Sequence, residues 1–220
     1  GGKAAYGDLF ETVLACGDVV FRVGNEISFL SHIPEAIRKS FPSLATNTVI
    51  FKSGQREDSL NWLDRWIRAN CHKYVKVCDP YFSWRELTIL KSIPDDVKGT
   101  IVTSWKNMEG IRPGSPDVKE QFRKFWRDNV SVHDPPATIV FVVGGNDTDE
   151  FHDRYLITEN VGLQFGASLN GWGNQDFTIT ILTSIDAANI EDNYIRPRMD
   201  ISARFALEER VPIQVFTLTD

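Results

Sequence analysis

The chain has 220 residues, of which 42% are hydrophobic and 25% are charged, and its formal net charge is −6. This length is enough to bury a full core as one domain, or as one domain with a small appendage. No apolar run approaches the ~20 residues that cross a bilayer, and no signal-like leader opens the chain, so we expect no transmembrane segment.

The charge is unevenly spread along the chain. Residues 1–110 carry 14 Lys and Arg against 13 Asp and Glu, whereas residues 111–220 carry 10 against 17. A domain that binds nucleic acid strongly usually has a basic excess, and this chain has none. Any site for a polyanion must therefore be local.

The cysteines Cys16, Cys71 and Cys78 are odd in number and lack the spacing of zinc ligands. This pattern favours a reduced, intracellular protein, and we expect a cytoplasmic one. Cys71-His72 followed by Cys78 is a weak indication of a metal site, so no metal is expected. Because the chain opens Gly-Gly-Lys without an initiator methionine, we expect an excised fragment or a tag remnant, with a longer natural protein.

Residues 1–45 are predicted to form an N-terminal extension or an added layer. Apolar residues at helical spacing over 4–16 precede a predicted strand at 18–23 and a short helix at about 34–41. No residue in this stretch indicates chemistry. The main domain is predicted to cover residues 46–220.

The main domain is predicted to consist of alternating strands and helices. A strand at 47–51 and a clear amphipathic helix at 57–71 come first. Strands at 74–78, 100–104 and 138–143 then alternate with helices at 85–93 and 116–128, and a strand at 177–182, a helix at 196–209 and a strand at 212–218 follow. This order predicts an α/β fold with a mixed, mainly parallel sheet and helices on both of its faces.

Residues 151–171 place an imidazole, a guanidinium and small polar groups within one hairpin-sized stretch. His152 and Arg154 are two apart, so on a strand they share a face, and Ser168 and Asn170 share a face of the next strand or its exit turn. Pairing across the polar link at residues 158–160 brings the four groups together. The combination indicates a site that handles phosphate.

Asp79 follows the short strand at 74–78 and precedes Pro80. Ligands bind at the carboxyl ends of strands in open α/β sheets, which makes Asp79 a candidate lining residue. The alternative is an aspartate that caps a turn.

The hairpin pattern resembles the signature of the phospholipase D-like superfamily, His-x-Lys-x4-Asp followed by Gly-x-Ser-x-Asn. The residues that carry the resemblance are His152, Arg154, Glu159, Gly166, Ser168 and Asn170. Arginine stands for the family's lysine and glutamate for its aspartate. The stretch from Tyr74 to Phe82 is similar to a strand followed by Asp-Pro-Tyr that several branches of this superfamily carry.

The resemblance implies a phospholipase D-like fold and a phosphodiesterase, specifically a nuclease, that uses no metal ion or other cofactor. It implies that His152 is the nucleophile, that Arg154 holds phosphoryl oxygens, and that Ser168 and Asn170 donate further hydrogen bonds. Either Glu159 or Asp176 is the group that orients the imidazole in this scheme.

The chain has one such segment, whereas the resembled enzymes use a second histidine as the acid for the leaving group. A twofold homodimer supplies that histidine from a second copy. His133 is the one tempting in-chain substitute, but no motif surrounds it, so it is interpreted as a surface-loop histidine. The implied substrate is nucleic acid, and the domain is expected to be the effector module of a larger protein or bound to one.

A second interpretation is a non-catalytic recognition module on the same fold. The phospholipase D-like C-terminal domain of microtubule-interacting-and-trafficking proteins has segments similar to Asp79-Pro80-Tyr81 and His152-Asp153-Arg154, and there the fold binds membranes or partners. A third is an enzyme that cleaves phospholipids, although no amphipathic cationic helix indicates membrane contact. Tyr155 and Trp172 are either platforms for a base or packing residues.

Overall fold

The structure is a computed structural model, and it describes residues 47–131, 133–144, 152–200 and 213–219. The predicted extension at residues 1–45 and most of the predicted helix at 196–209 lie outside the described residues. The compact unit that contains the described strands begins at Thr48.

The described residues form eight strands, four α-helices and several short helical turns. The strands are β1 (Thr48–Phe51), β2 (Tyr74–Cys78), β3 (Lys98–Ser104), β4 (Thr138–Val143), β5 (Tyr155–Thr158), β6 (Gly162–Phe165), β7 (Phe177–Leu182) and β8 (Gln214–Thr217). The α-helices are α1 (Arg56–Asn70), α2 (Asp117–Phe125), α3 (Ser184–Ile190) and α4 (Arg196–Met199). The 3₁₀ segments are Trp84–Ser92, Trp105–Asn107 and Leu169–Gly171, and the π-helical segments are Trp126–Val130 and Glu191–Ile195.

The eight strands make one mixed sheet in the order β1-β7-β6-β5-β2-β3-β4-β8. Strands β2, β3 and β4 run parallel to one another, and the other five pairings are antiparallel. The prediction of a mixed α/β sheet is confirmed, but the prediction that it is mainly parallel is wrong. Residues 159–161 join β5 to β6, and a link this short permits only an antiparallel neighbour.

Successive residues along the central strands enter two different apolar clusters, because side chains alternate between the faces of a pleated sheet. The larger cluster contains, among others, Leu63, Val77, Ile101, Phe122 and Leu156. The smaller one contains, among others, Cys78, Val102, Ile157, Ala187 and Ile195. Residues from α1 and α2 thus pack with the first set of strand side chains, and residues from α3 and the following π-helical segment pack with the second.

Helix α1 forms where the apolar spacing predicts a helix, within one residue at each end. Leu63 and Ile67 are one turn apart and buried against the sheet. The predicted helix at 85–93 is a 3₁₀ segment that begins after Ser83, where the Ser83 and Glu86 side chains form a capping box. No helix in the described part of the chain is long and apolar enough to span a membrane.

The direction of the strands decides which loops meet. Since β5 is antiparallel to β2 and β6 is antiparallel to β5, the end of β2, the start of β5 and the end of β6 share one edge of the sheet. We call this the site edge, and define it by Asp79 after β2, Arg154 before β5 and Ser168 after β6. The residues that follow β5 lie at the opposite edge.

Candidate functional site

The site edge brings together residues that are far apart in the chain. Cys78 pairs with Tyr155 in the sheet, which places the next residue, Asp79, beside Arg154. The Phe165 N–H donates to the Arg154 carbonyl at 2.9 Å, so the chain that leaves β6 passes the same point. Ser168 therefore reaches both Arg154 and Asp79.

Asp79 is a fully buried carboxylate that accepts three hydrogen bonds. The Ser168 Oγ donates to its Oδ1 at 2.7 Å, the Tyr81 N–H to the same oxygen at 2.9 Å, and the Leu169 N–H to Oδ2 at 3.1 Å. Burial raises the pKa of Asp79, and the three donors and the Arg154 charge act against that rise. Asp79 thereby holds Ser168 and the start of the following turn.

Arg154 is the cation of the site, and contacts with Ser168 and Tyr81 fix its orientation. Its Nε donates to the Ser168 Oγ at 2.6 Å, and its guanidinium lies over the Tyr81 ring, 5.4 Å from the ring centroid. Neither Nη atom of Arg154 has a hydrogen-bond acceptor among the described residues. A guanidinium held through Nε with both terminal nitrogens available is suited to binding two oxygens of an anion.

His152 lies two residues before Arg154 and is exposed. Its imidazole has no hydrogen bond or ion pair with any residue that the structure describes, and residues 145–151 before it are outside the description. The Asp153 N–H between the two residues donates to the Tyr194 Oη at 3.1 Å. The backbone that carries His152 and Arg154 is thus attached to the π-helical segment Glu191–Ile195.

Two of the predicted phosphate ligands, Ser168 and Asp79, lie in the interior, bonded to each other and, through Ser168, to Arg154. Asp79 has no exposed surface, and Ser168 is 7% exposed. Ser168 also gives its single hydroxyl proton to Asp79, so it has none left for a ligand. Both residues support Arg154 from the interior. Asn170 is exposed in the Leu169–Gly171 turn, where its side chain is accessible from solvent.

Glu159 does not lie near the other predicted site residues. It follows β5 at the opposite edge of the sheet, where its Oε1 accepts from the His72 N–H at 3.1 Å. Its Oε2 is buried and has no hydrogen-bond partner among the described residues. Asp176, the other predicted partner of the imidazole, accepts instead from Lys52 Nζ at 2.8 Å and the Ser53 N–H at 2.9 Å.

The aromatic side chain at the site belongs to Tyr81, which the sequence did not single out as a site residue. Tyr155 and Trp172 are buried, so neither is a platform for a base. Tyr81 is half-buried and stands against Arg154, two residues after Asp79. The position of Tyr81 directly after Asp79-Pro80 was the feature of the sequence that could have indicated a role at the site. Within the described ranges, no group of three or more His, Cys, Asp and Glu is placed to hold a metal ion.

No protein-family model and no curated protein sequence matches the chain. Among solved structures, it is similar to NucT from Helicobacter pylori at 14% identity and a TM-score of 0.48, over 70% of this chain and 95% of that chain. It is also similar to TrmBL2, an archaeal chromatin protein whose structure shows a novel mode of DNA binding, at 14% identity and a TM-score of 0.40, over 82% of this chain and 64% of that one. At these values neither likeness assigns a function, so the site is interpreted from its own side chains.

Proposed function

We propose that the chain is a metal-independent phosphodiesterase, and specifically a nuclease, with His152 as nucleophile and Arg154 as the residue that holds the phosphoryl oxygens. The observation that carries this proposal is the relay from buried Asp79 through Ser168 to Arg154. It orients a guanidinium whose two Nη atoms have no acceptor among the described residues, and His152, two positions earlier in the chain, is exposed. The scaffold is a phospholipase D-like sheet with helices on both faces.

The chemistry proceeds in two displacements at phosphorus. A ring nitrogen of His152 attacks, the N–P bond forms as the P–O bond to the leaving group breaks, and the leaving oxygen takes a proton from a second imidazole. Water then attacks phosphorus and gives a proton to that second imidazole, and the N–P bond breaks. Arg154 binds the non-bridging oxygens, on which negative charge concentrates in both steps.

The second imidazole comes from a second copy of the chain. A twofold homodimer with its axis at the site edge sets two His152 side chains on either side of one phosphorus. In this arrangement Asn170, exposed on the neighbouring turn, donates a further hydrogen bond to the substrate. Glu159 has no part in this scheme because it lies at the other edge of the sheet.

A second candidate function is recognition of a phosphate-bearing ligand, membrane or protein partner without cleavage. One observation favours it: among the described residues, no carboxylate bonds the His152 imidazole to fix its tautomer. In that case Arg154 still binds an anion, and His152 only contributes a hydrogen bond.

Cleavage of single- and double-stranded DNA and RNA in excess chelator separates these functions. We expect chelator-resistant cutting of at least one substrate, a loss of about 10³-fold or more in His152→Ala, and a loss of about 10²-fold in Arg154→Ala. His133→Ala is the matched control, because His133 is exposed and its hydrogen bonds are made by its backbone.

Equal cutting by the unmodified protein and His152→Ala contradicts the nucleophile assignment. If none of the four substrates is cut, binding of the same oligonucleotides decides the alternative. Binding that Arg154→Ala weakens and His133→Ala leaves unchanged supports the recognition function and removes the catalytic one.

A further inference from the structure

We propose that Arg56, at the start of α1, is a positioning residue that holds the Leu169–Gly171 turn and, through that turn, sets the guanidinium of Arg154. The catalytic consequence of this role rests on the function proposed above. The positioning itself is a property of the protein without substrate.

Arg56 is bound to both ends of the turn. Its Nη1 donates to the Leu169 carbonyl at 3.2 Å and to the Trp172 carbonyl at 2.8 Å. The turn closes on itself through the Gly171 N–H to the Ser168 carbonyl at 2.8 Å. One guanidinium nitrogen thus spans the segment that directly follows Ser168.

Leu169 connects Arg56 to the hydrogen-bonded series Asp79–Ser168–Arg154. Its N–H donates to Asp79 Oδ2 while its carbonyl accepts from Arg56. Ser168, the preceding residue, is bonded to Asp79 and accepts from Arg154 Nε. If Arg56 releases the carbonyl, the backbone that carries the Ser168 hydroxyl loses one of its hydrogen-bonded attachments, and the Ser168 oxygen that accepts from Arg154 is held less firmly.

The local sequence around Arg56 has features that this role explains. A cation at the first position of a helix faces the positive end of the helix dipole, and α1 has no side-chain cap there. Gly173 has a φ of +86°, and a Cβ on it would lie 2.6 Å from the Arg56 Cβ. The Gly54 N–H also donates to the Gly173 carbonyl at 2.8 Å. The start of α1 and the turn are therefore built to lie in close contact.

The test measures solvent exchange of the Arg154 Nε–H by NMR, with the signal identified by its loss in Arg154→Lys. In Arg56→Met we expect that proton to exchange about tenfold faster, which corresponds to ~1.4 kcal/mol of lost protection. In Arg56→Lys, which retains a donor, we expect a smaller increase. Arg65→Met is the matched control, because Arg65 is exposed on the same helix and bonds to no described residue.

An exchange rate in Arg56→Met equal to that in Arg65→Met overturns the proposal. Thermal unfolding is recorded for each variant, and if Arg56→Met does not fold, Arg56→Lys against Arg65→Lys decides by the same criterion. Since no substrate is present, this result does not depend on the nuclease proposal. If the protein cuts oligonucleotides, Arg56→Met is also expected to lower kcat more than it raises KM. If Arg56 only stabilises the fold, the folded variant has unchanged kcat and KM.

Discussion

Asp79 is a carboxyl group in the protein interior, and the groups that donate hydrogen bonds to it set the orientation of its neighbours. An isolated buried carboxylate is costly, and the donors from Tyr81, Ser168 and Leu169 offset that cost. Because Ser168 gives its proton to Asp79, its lone pairs are left to face the Nε of Arg154. The direction of the exposed guanidinium is thus set from the interior.

Ser168→Ala is expected to lower the free energy of unfolding by about 1–3 kcal/mol, because Asp79 loses a donor and Arg154 Nε loses its acceptor. Urea denaturation measures the change. Ser184→Ala is the control, since Ser184 is exposed at the start of α3 and its hydroxyl makes no hydrogen bond with the described residues. Its effect is expected to stay within about 0.5 kcal/mol. Equal losses in the two variants would show that the relay is not stabilising.

Among the secondary-structure elements, the turn after β6 depends for its stability on Gly173 more than on Gly171. Gly173→Ala puts a side chain at a φ of +86° and against Arg56, and we expect a loss of about 1–3 kcal/mol of stability. A Cβ on Gly171 meets nothing within 4 Å, so Gly171→Ala is expected to change stability by less than about 0.5 kcal/mol. Thermal unfolding of the two variants makes the comparison, and a larger loss in Gly171→Ala is the contrary result.

The segment Glu191–Ile195 is attached to β2 by a partly buried ion pair. Glu191 accepts from Lys76 Nζ at 2.6 Å and from the Tyr74 hydroxyl at 2.7 Å. Burial alone would raise the pKa of Glu191, but these hydrogen bonds and the charges of Lys76 and Arg196 together lower it. The same segment carries Tyr194, so this pair also supports the backbone beside His152.

Glu191→Gln is expected to lower the free energy of unfolding at neutral pH by about 1–3 kcal/mol, because Lys76 is left partly buried without its counter-charge. With the folded pKa below the unfolded one of about 4.3, the contribution is present above that value and is lost as the pH falls through the folded pKa. The difference between the two proteins should therefore shrink on acidification. Glu120→Gln, in an exposed pair with Arg127, is the control and should change little at any pH. A difference that stays constant down to acid pH would contradict this account.

The elements with strong apolar patterns could be predicted from the sequence. Strands β4 and β7 have their predicted bounds, Thr138–Val143 and Phe177–Leu182. Helix α3 was not predicted, because Ala187 is its single buried residue and the periodic signal is correspondingly weak. The antiparallel placement of β5 beside β2 also escaped prediction, since strand order depends on pairing between distant segments.

The site was predictable where its residues are close in sequence. The hairpin spacing placed Arg154 near Ser168, and the structure joins them by a hydrogen bond. The burial of Asp79 and the reach of Arg56 depend on contacts across 90 and 113 residues, which local spacing does not encode. Glu159 was selected by its position in the motif, but the length of β5 carries it to the other edge of the sheet.

At the scale of the whole molecule, the proposed mechanism requires two copies of the chain. We expect sedimentation at the concentration of the cleavage assay to give twice the 25.0 kDa mass of one chain. The net charge of −6 makes a local attraction at Arg154, rather than the overall field, the source of affinity for a polyanion. A monomer that cuts at full rate would exclude a shared active site.

The most direct measurement is to locate the covalent intermediate. The protein is mixed with a radiolabelled oligonucleotide carrying the label at its phosphodiesters, quenched by denaturation at alkaline pH, and mapped by mass spectrometry of its peptides. We expect a phosphoryl adduct on His152 that is absent from His152→Ala and retained in His133→Ala. Cutting without an adduct on His152, or an adduct on another residue, would contradict it.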